Sequence, residues 1–380
     1  MTALITTAES LKALTIVRSL GRQGIPVTTG SASPSPLASS SRYALQHISY
    51  PSPLQDPIGF NHTIHKFLEK NQHDVLLPVH SEDTLVLGRY ANSLSDVIHF
   101  PFHRFDDMIL INDKGYLAAV AEELEIPTPR TWAPENLEQF SHIRNEITFP
   151  AVIKLRNRTS SLGQSYVSSM DELISVYKRT IRTFALSSRE YPIIQEYIAG
   201  TGYGVSLLFN HGNLRARFTH KRIREYPVSG GPSTCRISTK HQRMEEYATR
   251  LLEHFSWHGI AMVEFILSYE GVPFLLEVNP RFWGSINQAV QSGVDFPYLL
   301  YQMAVDGDVR PVFSYQEGVV TRNCLLDLCA GFQGFSRRLP FQDRDPHLQF
   351  PFHDDIFSLE DPLPFFSAIR SGIRHIRGTG

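Results

Sequence analysis

The sequence predicts two architectures in series: an N-terminal α/β domain on a parallel sheet, then an α+β portion built on antiparallel sheets. Three observations predict this. Through the first hundred residues short apolar runs alternate with helical periods, and strand–helix–strand order implies parallel strands with crossover helices. Beyond the Pro-rich run Ile126-Pro-Thr-Pro129 the pattern changes to hairpins with interleaved helices. A chain of 380 residues also exceeds one ordinary core, so two or three domains are expected.

The elements follow in order. Ala3–Thr6 reads as a strand, and Leu11, Leu14, Val17 and Leu20 then recur at helical spacing before Gly21. Ile25–Thr28 is the next strand, Ser31–Ser41 is a Ser/Pro-rich loop, and Val75–Val79 is a third apolar strand. No GxGxxG follows the first strand, so a dinucleotide fingerprint is absent and a dehydrogenase is disfavoured. Asn112 or Asp113 caps a helix running to about Glu125, and the proline run marks a domain junction. The expected hairpins pair Ala151–Leu155 with Gln164–Ser168, then Pro192–Ile198 with Val205–Phe209 and Leu214–Lys221. Helices are expected at Glu172–Leu186 and through Met244, Tyr247, Leu251, Leu252 and Phe255. The Phe-, Pro- and Arg-rich last fifty residues suggest no chemistry.

Composition removes several function classes. With 42% hydrophobic and 19% charged residues the chain reads as globular. A net charge of −2 gives no field that recruits nucleic acid or an anionic membrane. No apolar stretch is long enough to span a bilayer, and the N-terminus does not read as a signal peptide. Three cysteines without metal-type spacing fit a reducing compartment, so a cytoplasmic location is expected.

The most informative stretch is Ala261–Arg281, AMVEFILSYEGVPFLLEVNPR. Two strand-like runs flank Tyr269-Glu270-Gly271-Val272, where Gly271 suits a tight turn. If Glu270 and Gly271 are the two central residues, Glu264 pairs directly with Glu277, with Cβ atoms roughly 4.5–5.5 Å apart. Asn279 then lies on the same face, two residues along. Like charges placed opposite each other destabilise a hairpin, so the arrangement asks for a cation. Mg²⁺ is hard, takes oxygen ligands, and is commonly held by one or two carboxylates plus substrate phosphates. The alternative is a solvated polar sheet face. Two further pieces bear on the choice. Phe149-Pro-Ala-Val-Ile-Lys154 ends a strand with a lysine, and the small-residue loop Arg156–Gln164 follows, suited to laying backbone N–H groups over phosphates and becoming ordered with nucleotide. Ile193–Ile198 leaves an apolar strand into Gly200, Gly202 and Gly204, either a linker facing a purine edge or an ordinary edge strand.

The order of these pieces resembles the ATP-grasp superfamily. The matching segments are DKGYLAAVAEELEIPTP, PAVIKLRNRTSSLG, IIQEYIAGTGYG, MVEF and LLEVNPRFWGS, running from about residue 113 to 290. The resemblance is closest to carboxylate–amine ligases related to carbamoyl-phosphate-synthase-type grasp domains. It implies a pre-ATP-grasp domain over 1–110, a small lobe over 111–200, a large lobe over 201–325, and a C-terminal extension over 326–380. It implies ATP and Mg²⁺, with Mn²⁺ as a substitute, and an acid activated as an acyl phosphate and joined to an amine. Lys114 and Lys154 match the lysines on the ATP phosphates; Ser160, Ser161 and Gly163 match the loop over them. Gln195, Glu196 and Ile198 fall on the adenine hinge, Glu264, Glu277 and Asn279 on the metal ligands, and Arg281 on the arginine facing the transferred phosphoryl group. One departure is that Gly202 stands where many relatives carry a ribose-binding glutamate.

For the substrate side, His220, Arg222 and Arg224 alternate along one run and are expected to share a face that clamps an anion through bidentate arginine, with Arg222 counted among the catalytic groups beside Lys154 and Arg281. The alternative is a solvated strand face. Ser229, Gly230 and Gly231 offer backbone amides to the acyl phosphate, and Arg236 is a candidate of the same type. Phe282, Trp283 and Trp257 read as core more readily than pocket, and His241 and His258 as structural. Cys235 has no paired base or helix N-terminus and is not taken as a nucleophile. The expected function is an ATP-dependent ligase acting on small-molecule carboxylate and amine substrates, without nucleic-acid or membrane partners and with a homodimer as the expected assembly. A small-molecule kinase on the same scaffold and a non-catalytic nucleotide-binding module are the alternatives.

Overall fold

The computed structural model describes residues 1–134, 136, 139–143, 145–157, 163–227, 231–336 and 352–378. Its N-terminal sheet has four parallel strands, β1 (Ala3–Ile5), β2 (Val27–Ser31), β3 (Ala44–Ser49) and β4 (Val75–Leu77), in the order β3-β2-β1-β4. β1, β2 and β4 are buried throughout, as strands covered on both faces should be. The helix Leu11–Arg22 returns from β1 to β2; the Ser10 hydroxyl caps it by accepting from the Ala13 N–H at 3.2 Å, and Leu14, Val17 and Leu20 are fully buried. After β3 the helix Pro57–Lys70 carries the chain back to the far side of β1, so the winding reverses between β1 and β4.

The middle of the chain forms a small antiparallel sheet of β5 (Thr131–Trp132), β6 (Ala151–Lys154), β7 (Ser165–Val167) and β8 (Ile193–Glu196), ordered β5-β8-β6-β7. The helix Met170–Thr183 packs Leu173 and Tyr177 against Trp132, Ile153 and Ile194 in a core of its own. The large sheet contains β9 (Gly200–Asn210), β10 (Asn213–Glu225), β11 (Ser233–Thr239), β12 (Gly259–Ser268), β13 (Pro273–Asn279), β14 (Val320–Arg322) and β15 (His353–Asp354). Their order is β13-β12-β9-β10-β11-β14-β15. One continuous core joins this sheet to the N-terminal one, running from Ala3 and Leu14 to Trp283 and Phe296.

Two expectations need correction. β8 does not pair with β9; it pairs with β5 and β6, and the chain crosses from the small sheet to the large one between Glu196 and Gly200. The hairpin turn is also one residue longer than expected. Ser268 and Val272 close a three-residue loop in which Gly271, at φ +81°, donates its N–H to the Ser268 carbonyl. An irregularity between Glu264 and Phe265 then takes up the extra residue, and Glu264 does face Glu277. The expected pairing holds through two offsetting shifts.

The C-terminal part is tied in at buried points. β15 runs parallel to β14, Asp355 pairs with Arg236, and Asp361 accepts from Arg18 Nε at 2.8 Å and from Ser41 Oγ at 2.7 Å. No helix among the described residues is long and apolar enough to cross a membrane.

Candidate active site

Between the small sheet and the large one lies a cavity of about 240 Å³. Lys114, Lys154, Arg222, Glu225, Glu264 and Glu277 line it together with Val152, Tyr166, Tyr197, Ile198, Ile266 and Leu276. β12 and β13 aim the two facing glutamates into it. The side-chain amide of Asn279 donates to Glu264 Oε1 at 3.0 Å and to Glu277 Oε1 at 3.3 Å. Its carbonyl oxygen accepts from Arg281 Nη2 at 2.7 Å. Arg281 is 7% exposed and also donates from Nε to Ser81 Oγ at 2.6 Å, so it bridges the carboxylate centre and the N-terminal domain.

The carboxylates are balanced from opposite sides. Lys114, held in the first turn of its helix by the Asp113 cap, lies 3.2 Å from Glu277. Burial pushes Glu277 up, but Lys114 and Lys154 outweigh it and hold the carboxyl below its usual range. Glu264 pairs directly with Arg222, yet burial dominates and its carboxyl is raised. Burial likewise lowers the Lys154 ammonium to about 8, with Glu277 opposing and Lys114 assisting.

The strand glycines explain how Arg222 reaches Glu264 across β9. A Cβ on Gly202 would stand 2.9 Å from Arg222 Cδ, and one on Gly204 would stand 2.4 Å from His220 Cε1. Gly202 therefore leaves room for a guanidinium. Arg222 Nη1 also donates to Glu225 at 3.2 Å, which sets a further carboxylate in the cavity that the sequence reading missed.

The shared face expected for His220, Arg222 and Arg224 is broken. The β10–β11 register shifts on both sides of Arg224, which turns away to make two bonds to Asp327 at 2.8 and 2.6 Å. His220 is buried against Ser285, with its Nε2 3.1 Å from the hydroxyl. Arg222 alone of the three lines the cavity. Arg236 is spent on Asp355 and the Ser233 carbonyl. Gly231 lines the cavity, whereas Ser229 and Gly230 lie outside the described residues, as do Ser160 and Ser161. Gly163 adopts φ +71° beside Leu155. On the expected hinge, Glu196 and Ile198 line the cavity; Gln195 is buried, bonds Thr131 at 3.0 Å, and does not.

Trp257, Phe282 and Trp283 are core, and His241 caps the helix Gln242–His254. Cys235 is buried with its thiol raised by burial, unlike a nucleophile. Tyr166 and Tyr197, edge to face at 5.7 Å, were also missed; the Gln164-Ser-Tyr166 alternation was their only signal. Among the described residues no three or more His, Cys, Asp or Glu side chains are grouped so that they could hold a metal ion by themselves. The oxygen set here is two facing carboxylates with the Asn279 amide between them, which fits a hard cation completed by phosphate oxygens.

Comparison with known proteins agrees with this geometry. Residues 188–324 match the family described as ATP-grasp in the biosynthetic pathway with Ter operon. The formate-dependent phosphoribosylglycinamide formyltransferase of Sulfurisphaera tokodaii is 30% identical over 171 residues, 42% of this chain and 42% of that protein. This chain thus spans less than half the length of that relative. The D-alanine–D-alanine ligase of Pelotomaculum thermopropionicum is 22% identical over 51% of this chain and 67% of its own length. The biotin carboxylase domain of the Hydrogenobacter thermophilus 2-oxoglutarate carboxylase, in complex with MgADP, superposes with a TM-score of 0.69 at 14% identity, covering 84% of this chain and 73% of that one. Residues 188–324 thus match an ATP-grasp domain, in keeping with these relatives and with two sheets closing on a lysine- and carboxylate-lined cavity.

Proposed function

We propose that the chain is an ATP-dependent ligase that activates a small carboxylic acid and joins it to an amine. The observation that carries this reading is the facing pair Glu264 and Glu277, bridged by Asn279 and flanked by Lys114, Lys154 and Arg281. Glu264, Glu277 and the Asn279 amide oxygen would hold Mg²⁺, the amide turning so that its oxygen faces the carboxylates. Bound there, the ion would neutralise phosphate charge.

The chain's own groups do the rest. Val152, Ile198, Ile266 and Leu276 offer an apolar slot for a base, beside Tyr166 and Tyr197. Glu225 is in place for ribose hydroxyls where Gly202 carries no carboxylate. Lys114 and Lys154 take the phosphates as point charges, and Arg222 swings from Glu264 to phosphate oxygen once the carboxylate has another partner. The substrate carboxylate oxygen attacks the γ-phosphorus, the bond to the bridging oxygen breaks, and ADP departs with the electron pair. The amine nitrogen then adds to the acyl carbon, phosphate leaves, and the amine proton passes to solvent. Arg281 stabilises charge on the transferred group in both steps, because Ser81 holds it before reaction begins.

ADP release over a matrix of acids and amines tests this. The ligase reading predicts sustained ADP formation only when an acid and an amine are both present. Release with an acid alone, yielding a stable phosphorylated product, would make the chain a kinase.

A further inference from the structure

The two lysines that line the cavity between the sheets come from different parts of the chain and meet there as like charges. Lys114 opens the helix Lys114–Glu123, which follows the helix Phe105–Asn112 after a single residue, Asp113. Lys154 ends β6 in the small sheet. Lys114 is buried, and it stands close enough to lower the Lys154 ammonium by its charge. Ammoniums at such close quarters repel, so something other than the pair must set their spacing. Glu277 attracts both, but on the proposed reading it turns to the metal just when phosphate arrives.

Asp113 and Arg156 tie the two segments together. Arg156 stands two residues beyond Lys154, and its Nε donates to Asp113 Oδ2 at 2.9 Å and to Oδ1 at 3.2 Å. The same Oδ1 accepts from the N–H groups of Gly115 at 2.8 Å and Tyr116 at 3.1 Å, which caps the helix. The Lys114 N–H donates to the Arg156 carbonyl at 3.2 Å, and the Asn112 side-chain amide donates to the Asn157 carbonyl at 3.3 Å. Residues 112–114 are thus fastened to 156–157. Neither Asp113 nor Arg156 lines the cavity, whereas Lys114 beside the one and Lys154 just before the other both do.

Gly115 leaves the space that the pair uses. A Cβ there would stand 2.8 Å from Arg156 Nη2 and 3.2 Å from Asp113 Oδ1. Glycine is a poorer helix former than alanine, so the helix itself gives no reason for it. The guanidinium packed over this turn does.

We infer that Asp113 and Arg156 form a positioning clasp, which fixes the spacing of Lys114 and Lys154 before a phosphate chain arrives. The inference rests on the reading of this cavity as a nucleotide site. Arg156 makes no contact with the nucleotide; it acts through Lys114, by holding the first turn of that helix against the end of β6. Charges held in place before binding need no reorganisation when the ligand arrives, so the clasp raises affinity for a ligand that carries a phosphate chain. Adenosine carries none, and its affinity is independent of the clasp.

Calorimetric titration of the full chain, with Mg²⁺ present, compares adenosine, ADP and a non-hydrolysable ATP analogue. Wild type should bind the two phosphate-bearing ligands more tightly than adenosine. Arg156→Met should weaken both by about tenfold or more and leave the adenosine Kd within about twofold, which also shows that the variant is folded. Asp113→Asn should act in the same direction, because asparagine still caps the helix but carries no charge. Gly115→Ala should weaken the same two ligands although it raises helix propensity, an outcome that a merely structural role for the pair would not give. The decisive arm is the cycle with Lys114→Met. On that background Arg156→Met should add no more than about twofold, since no second ammonium is left to position. Losses that multiply would make Arg156 a direct nucleotide contact and overturn the clasp. ADP and the analogue bound by Arg156→Met and Gly115→Ala as tightly as by wild type would also overturn it, and leave the nucleotide reading standing. Adenosine bound by wild type as tightly as ADP, with Lys114→Met changing neither, would sink the nucleotide reading and the clasp with it.

Discussion

Replacing Arg222 by alanine separates the nucleotide side of the site from the acid side. The guanidinium bonds Glu264 directly and Glu225 at 3.2 Å, and the three side chains are only 19, 15 and 27% exposed. Removing one partner of a fully buried pair costs about 3–5 kcal/mol. Partial exposure here reduces that, so a loss of roughly 2–3 kcal/mol in the ligand-free protein is expected. If the guanidinium also contacts phosphate, a charge-assisted bond of about 1.5–3 kcal/mol disappears, or roughly 10- to 150-fold in nucleotide Kd. Chemical denaturation measures the first quantity and fluorescent-nucleotide titration the second. The acid KM should change little at saturating ATP, because among the described residues Arg222 bonds only the carboxylates of the cavity between the two sheets. A variant with unchanged nucleotide Kd and a tenfold higher acid KM would refute this placement.

Three other outcomes follow from particular contacts. The Lys154 ammonium, held at about 8 by burial against the pull of Glu277 and Glu264, must be charged to meet phosphate, so nucleotide Kd should rise about tenfold per pH unit above pH 8. The ligand-free fold favours the neutral amine, so this group's contribution makes stability rise with pH from about 8 toward the unfolded value near 10.4; Lys154→Arg should abolish both slopes. Gly204→Ala drives a Cβ to 2.4 Å from the buried His220 ring and should cost about 1–3 kcal/mol by denaturation, whereas Gly202→Ala meets the flexible Arg222 stem at 2.9 Å and should cost less, because that stem can shift. Arg18→Ala strands Asp361, which is 1% exposed, and should cost about 3–5 kcal/mol while leaving nucleotide affinity unchanged.

What the sequence made legible was local. Alternating apolar runs and a capping Ser10 were enough for β1 and its helix, and Asp113 before Lys114 placed the lysine in a first turn. The pairing of Glu264 with Glu277 was readable because register is a short-range property of one hairpin. Its justification was not: a three-residue turn and an irregularity offset each other, and neither leaves a pattern of its own. Alternation failed at Arg224 because register shifts reset which face a side chain takes, and they depend on the partner strand. Sheet membership of β8 was illegible for a similar reason, since an apolar strand does not state which neighbour it will join. The link from Arg281 to Ser81 and that from Arg236 to Asp355 join residues more than a hundred positions apart, and sequence spacing carries no such information.

The central claim is that Glu264 and Glu277 bind a divalent cation together with nucleotide. Mn²⁺ binding, followed by electron paramagnetic resonance with and without ADP, tests it directly. The wild type should bind one Mn²⁺ tightly only when ADP is present. Glu277→Gln should weaken that ion at least tenfold, while far-ultraviolet circular dichroism and metal-free ADP affinity stay within about twofold of wild type. Mn²⁺ affinity unchanged in both Glu277→Gln and Glu264→Gln would contradict the account.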